Sequence, residues 1–306
     1  MPAPSTAAAP WRPAFLDHVH SMASPTFYLS TLQSYHDEPP PPPSSSRFPR
    51  GPALVVPRVR TVVFRGMWAS LPANPKNEAA LNPDVFASDM PTLTTDARME
   101  KVPQLLPDGN GNGNDNGNGD GAGPQSALGG PFEAVFWAEG RQTQWRISGH
   151  ACVVGPDIDS DAAAPVRAAL GGRMRPVTGG GGGGGSPASE GPGGARGSAP
   201  AEATGKQEWS WSRELTAHFG NLSPLMRGSF RDPAPGTPLS EKPGPGLGLG
   251  QRVTDNHDEI ARRNFRVLVL VPEEVDRVDL SDPGHGRRWK YTLRDDGSWH
   301  TEELWP

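Results

Sequence analysis

"PRVRTVVFRG", residues 57–66, decides the fold. Thr61, Val62, Val63 and Phe64 are β-branched or aromatic, which suits a pleated strand buried on at least one side. Arg58, Arg60 and Arg65 are threaded through that run, and arginine is rarely buried without a partner. The stretch therefore predicts a strand built to hold an anion. Upstream, "TFYLSTL" (26–32) is a second strand expected to pair with it. The Pro/Ser block "DEPPPPPSSS" (37–46) sits in their connection, and loop length adds only slowly to closure entropy.

Outward from this pair, Trp11, Phe15, Val19 and Met22 recur at helical spacing and predict a short amphipathic helix. "PTLTTDARMEKVPQL" (91–105) reads as a strand turning into a helix after Asp96, the expected N-cap. "FEAVFWA" (132–138) and "TQWRISGHACVVG" (143–155) flank "EGRQ" as a hairpin. Residues 161–174 predict a helix stopped by Gly171 and Gly172. Residues 208–230 read as a helix followed by a loop, and 255–265 as a capped helix leading into the buried strand 266–272. "RRWKYTL" (287–293) and "SWHTEELW" (298–305) close through "RDDG", a hairpin turn. About seven strands in hairpins with a few short helices indicate a mainly β protein, an antiparallel barrel rather than a βαβ repeat.

Composition sets the limits. The 38 Gly and 36 Pro are about a quarter of the chain and concentrate in blocks expected to be loops or disordered insertions, at about 37–54, 107–128, 176–206 and 234–250. What is left, roughly 200 residues, is enough for one domain with a real core; the domain is expected to span 11–306. A net charge of −5 excludes a general nucleic-acid footprint. No apolar run reaches the length of a membrane span, and the N-terminus lacks the pattern of a secretory signal. A lone Cys152 excludes an internal disulfide and any cysteine-built zinc site. No metal site is expected, and a cytoplasmic location is. No phosphate-loop lysine motif, G-x-S-x-G elbow or H-E-x-x-H is present.

"PRVRTVVFRG", then "LTTDARMEK", then a hairpin bearing "RQTQWRISGHA", resembles the pyridoxamine 5'-phosphate oxidase-like family of FMN-binding split β-barrels. The likeness is to a variant branch and runs from about residue 26 to the end. It implies FMN at the interface of a homodimer. Residue by residue, it implies that Arg60 and Lys101 hold the phosphate, with Arg65 near the flavin ring. Thr61, Val62, Val63, Thr94, Thr95 and Gln144 would contact the cofactor. Arg288 aligns with a family arginine that touches FMN, and Ser223, Arg227 and Ser229 are candidates from the second subunit. Where the family has an arginine before the lysine stands Glu100, leaving Arg98 as a substitute. The family's substrate-gripping Arg-Leu-His-Asp run is replaced by "GHGR" (284–287), so the pyridoxamine phosphate site looks lost. The resemblance thus implies an FMN-dependent oxidoreductase of unknown small-molecule substrate. A true pyridoxamine or pyridoxine phosphate oxidase, a non-catalytic flavin carrier and an interaction scaffold are the alternatives.

Overall fold

The computed structural model describes residues 7–35, 54–106, 125–177 and 208–306. The low-complexity blocks at 37–53, 107–124 and 178–206 lie outside these residues, whereas 234–250 lies within them as a series of turns. Those turns are tied down: Arg231 donates to the Gly246 carbonyl, and the Gly248 amide donates to the Arg231 carbonyl.

β1 (Thr26–Tyr35) and β2 (Leu54–Val63) pair antiparallel along their full length, with Tyr35 opposite Leu54. After a two-residue break, β3 (Gly66–Met67) follows, then β4 (Phe86–Ser88) and β5 (Pro91–Asp96). The expected hairpin is β6 (Ala127–Ala138) and β7 (Thr143–Val154). β8 (Met174–Pro176) pairs with β4. β9 (Phe265–Asp279) is more than twice as long as the strand read from the sequence, and β10 (Arg287–Leu293) with β11 (Trp299–Leu304) completes the set. The sequence suggested about seven strands. Among the described residues nine share the main sheet and two form a second one, because β3, β4 and β8 are too short to leave a period-2 signature.

The main sheet runs β11-β10-β9-β7-β6-β1-β2, and β5 adds to β9 while β3 adds to β5. β3 continues the line of β2, and the Arg65 amide donates to the Thr92 carbonyl at 2.9 Å. The circuit β1-β2/β3-β5-β9-β7-β6 therefore curls back toward itself as an open, split antiparallel barrel, bridged through the chain at β3 and not by a ladder between β2 and β5. Gly66 makes the bend at φ +124°, a region closed to most side chains.

The helices are α1 (Arg12–His20), α2 (Lys101–Leu105), α3 (Ala164–Gly171), α4 (Trp211–Gly220), α5 (Pro224–Gly228) and α6 (Glu259–Asn264). None is long and apolar enough to cross a membrane. Two apolar clusters lie on the two faces of the barrel wall. Leu268 and Leu270 of β9 join Phe27, Phe136, Trp145 and the α1 residues Trp11 and Phe15. The alternate residues Val267 and Val269 join Leu215, Phe219 and Phe230. Burial on both faces explains why "VLVLV" carries no polar alternation.

Asp96 does not cap α2. Its Oδ1 accepts from the Arg98 amide at 2.8 Å, closing a turn, and α2 begins only at Lys101 with no side-chain cap. A local Asx turn competed with the helix and won.

Candidate functional site

Arg60 faces inward from β2. Its register partner is Leu29, which is fully buried, so alternation sends Arg60 to the barrel side and its neighbour Thr61 outward. The guanidinium donates to the Leu29 carbonyl at 3.1 Å, to Thr31 Oγ1 at 2.7 Å and to Gln104 Oε1 at 2.6 Å. Lys101, the first residue of α2, is buried against the same place and donates from Nζ to Thr95 Oγ1 at 3.0 Å. Burial, and then the charge of Arg60, pull the Lys101 pKa down to about 8. Burial likewise lowers that of Arg60.

The charge of Arg60 thus depresses Lys101, with Asp96 and Glu100 as smaller opposing charges. Among the described residues no carboxylate pairs with either one. Beside them the Gln104 side-chain amide is buried with its Nε2 unpartnered. Glu100 acts on both cations only as a charge that makes no ion pair with either, and the free Gln104 Nε2 is a donor, a combination that suits a dianionic phosphate. Arg98, the substitute cation suggested by the sequence, is spoken for: its Nε and Nη2 grip both oxygens of Asp96, at 2.9 and 2.6 Å.

Arg65 lies at the break between β2 and β3, as its place at the strand end predicted, and its Nε donates to Thr94 Oγ1 at 3.2 Å. Thr94 and Thr95 are neighbours on β5, so they face opposite sides; Leu93, which shares the side of Thr95, belongs to the inner cluster. Arg65 with Thr94 is therefore set across the wall from Arg60, Lys101 and Thr95. On its own side its charge reaches His218 of α4. That imidazole is fully buried, stacked on Trp68 at 5.7 Å and 13°, and its two ring nitrogens and Trp68 Nε1 have no hydrogen-bond partner. Burial, and then Arg65, push it down to about 3. Glu214 Oε1 is 3.7 Å from His218 Nε2, and Glu214 accepts instead from the Ala69 amide and Asn82, at 3.0 and 2.9 Å. Burial raises the Glu214 pKa.

The other sequence candidates are dispersed. Val62 packs on the inner cluster, while Thr61 and Val63 face outward beside Tyr28 and Thr26. Gln144 and Arg288 both sit opposite Val278, in one row across β7, β9 and β10, away from Arg60 in strand order. Arg288 donates twice to Asp276 Oδ2, at 3.0 and 2.7 Å. Ser223 caps α5 through the Met226 amide, and Ser229 Oγ donates to the Met226 carbonyl. Arg227 is buried, donating to the Thr254 carbonyl at 3.2 Å and to Asn256. Within one chain, then, Arg60, Thr95 and Lys101 come together, and Arg65 and Thr94 form a second group.

Sequence reasoning missed Gln104 and the pair Glu214–His218. Both were encoded as spacing: Gln104 stands three residues after Lys101, and "ELTAH" puts an acid and an imidazole four apart on one helix face.

Comparison with known proteins bears on this geometry. An uncharacterized protein of Saccharomyces cerevisiae is 30% identical over 104 residues, which is 33% of this chain and 35% of that protein, so the chain spans about a third of that relative's length. Two solved structures are similar at lower identity. One is a pyridoxamine 5'-phosphate oxidase-related, FMN-binding protein of Nostoc punctiforme, 18% identical, with TM-score 0.49 over 99% of this chain and all of that one. The other is PhzG of Burkholderia lata in complex with tetrahydrophenazine-1-carboxylic acid, 12% identical, with TM-score 0.39 over 96% of this chain and 87% of that one. The family profile described as pyridoxamine 5'-phosphate oxidase, FMN-binding domain, matches residues 8–155, a segment that holds Arg60, Arg65, Thr94, Thr95, Lys101 and Gln144. By that match the segment is similar to the FMN-binding domain of pyridoxamine 5'-phosphate oxidase.

Proposed function

We propose that the protein is a homodimeric, FMN-dependent oxidoreductase whose Arg60 and Lys101 hold the flavin phosphate. The observation that carries this is the pair of cations without a carboxylate ion pair among the described residues, with the unpartnered Gln104 Nε2 beside them, inside the segment matched by the FMN-binding family profile. Arg60 offers its guanidinium fork, Lys101 a point charge, and Thr95 fixes the ammonium at 3.0 Å. A bound flavin would supply transfer of a hydride or an electron pair between a small-molecule substrate and an acceptor. Arg65, shielded from water and paired with no carboxylate among the described residues, would stabilise negative charge at the ring. The wall of β5 divides Arg65 from Lys101, so the ring would extend past the strand end at Gly66.

The homodimer is supported by the outer face of β1, β2 and β6. Val59 is 70% exposed there and Tyr28 54%, with Leu32, Val55 and Trp137 also open. An apolar strand face of this kind calls for a cover, and a second copy would supply it, with Ser223, Arg227 or Ser229 as its candidate contribution to the cofactor.

The test is the absorbance spectrum of freshly purified protein, repeated for Arg60→Ala with Lys101→Ala. The wild type is expected to be yellow, and the double variant colourless while keeping its far-UV circular dichroism. A folded double variant that retains flavin at full occupancy would refute the phosphate assignment.

A further inference from the structure

A cavity of about 640 Å³ shares no lining residue with the Arg60–Lys101 cluster. It opens where β7 and β9 slip register: Ser148 faces Glu274 and Gly149 faces Pro272, leaving Glu273 as an extra, bulged residue. Gly149 makes the bulge possible, because a Cβ there would run into the Val271 carbonyl oxygen. Bulges that open a sheet wall are common beside binding sites, and the volume suits a small organic molecule.

Leu293 and Trp299 of the β10–β11 hairpin, with Val271, supply apolar wall. Most charges at the rim are already answered. Glu273 pairs with His150 at 3.1 Å and Glu274 with Lys290 at 2.8 Å. Arg175 pairs with Asp89 at 2.8 Å, and Arg294 meets His300 at 3.0 Å. Two lining charges are the exceptions, Asp295 and Arg173: among the described residues neither side chain has a hydrogen bond or ion pair. Arg173 is half-buried, and its backbone amide donates to the Leu170 carbonyl. Burial lowers its pKa, with Glu273 acting only as a more distant opposing charge. A partly desolvated guanidinium fork without a partner beside an apolar wall is matched by a planar carboxylate on a flat apolar body.

We infer that this cavity is a second small-molecule site, taking an aromatic or similarly flat carboxylate whose charge meets Arg173 and whose body packs on Leu293 and Trp299. It is independent of the flavin assignment and does not require a bound cofactor.

Isothermal titration of the full-length protein with benzoate tests it, with benzamide as the neutral isostere. Benzoate is expected to bind saturably, one per chain, and Arg173→Ala to weaken it by about tenfold or more, the loss of a charge-assisted contact. Thr292→Trp, which narrows the cavity and leaves Arg173 in place, is expected to weaken binding with the thermal midpoint little changed. Absence of saturable benzoate binding, benzamide binding as tight as benzoate, or unchanged affinity in either variant would each overturn the inference.

Discussion

At Lys101 burial and charge act against ionisation, and the consequence is a pH dependence with a definite sign. Its pKa of about 8 means the ammonium is largely present at neutral pH and lost above. A phosphate dianion favours the ammonium, so the pKa rises on binding and cofactor capture above pH 8 takes up a proton. Affinity for FMN is expected to be flat between about pH 7 and 8 and to fall by up to about tenfold per unit above that. It also weakens below about pH 6 as the phosphate monoprotonates. Flavin fluorescence titration across this range checks both arms, and Lys101→Arg is expected to remove the alkaline one. His218 acts on stability instead. Its folded pKa of about 3 lies below the usual 6.5, so the unfolded chain binds the extra proton and stability is lost as pH falls from about 6.5 toward 3. Glu214, raised by its own burial, works in the opposite direction, and Arg65 keeps its charge throughout. His218→Phe keeps the stacking on Trp68 and removes the titration, so denaturation midpoints measured against pH are expected to show a shallower acid arm.

At the scale of elements, β3 is the seam of the barrel. An alanine at Gly66 would meet Pro72 Cδ at 2.5 Å and force φ +124° on a side chain. Gly66→Ala is expected to cost about 1–3 kcal/mol in chemical denaturation and to loosen Arg65 next to it, so flavin loss on dilution should accelerate. This scale also shows what the sequence disclosed. The hairpins β6–β7 and β10–β11 and the pairing of β1 with β2 were legible, because alternation and turn residues are local signals. The barrel class was read from the run of hairpins as well, but the pairing of β3 with β5 was not, because it rests on two residues. Arg60 and Lys101 were legible only through a resemblance of ordered motifs. Gln104 was not, since an amide facing a guanidinium leaves no mark beyond its spacing.

For the whole molecule, the exposed strand face sets the test of assembly. Val59 is 70% open in the single chain, so Val59→Asp should leave monomer stability within about 0.5 kcal/mol. Across a two-fold interface the same carboxylate would be desolvated against its own copy, at a cost of several kcal/mol. Analytical ultracentrifugation is expected to find the wild type dimeric and the variant monomeric, with flavin content falling in parallel. A dimeric, fully loaded Val59→Asp would remove this face from the assembly.

The register of the first hairpin reaches beyond the fold. Tyr35 and Leu54 are direct partners across β1 and β2, so the chain leaves and re-enters the sheet at a single rung. Whatever lies between those two residues is held by one fixed doorway. Lineages can therefore lengthen, shorten or replace that segment without renegotiating the barrel. For the protein engineer the same rung is a grafting point: a peptide or small domain whose ends lie one strand spacing apart can be carried there.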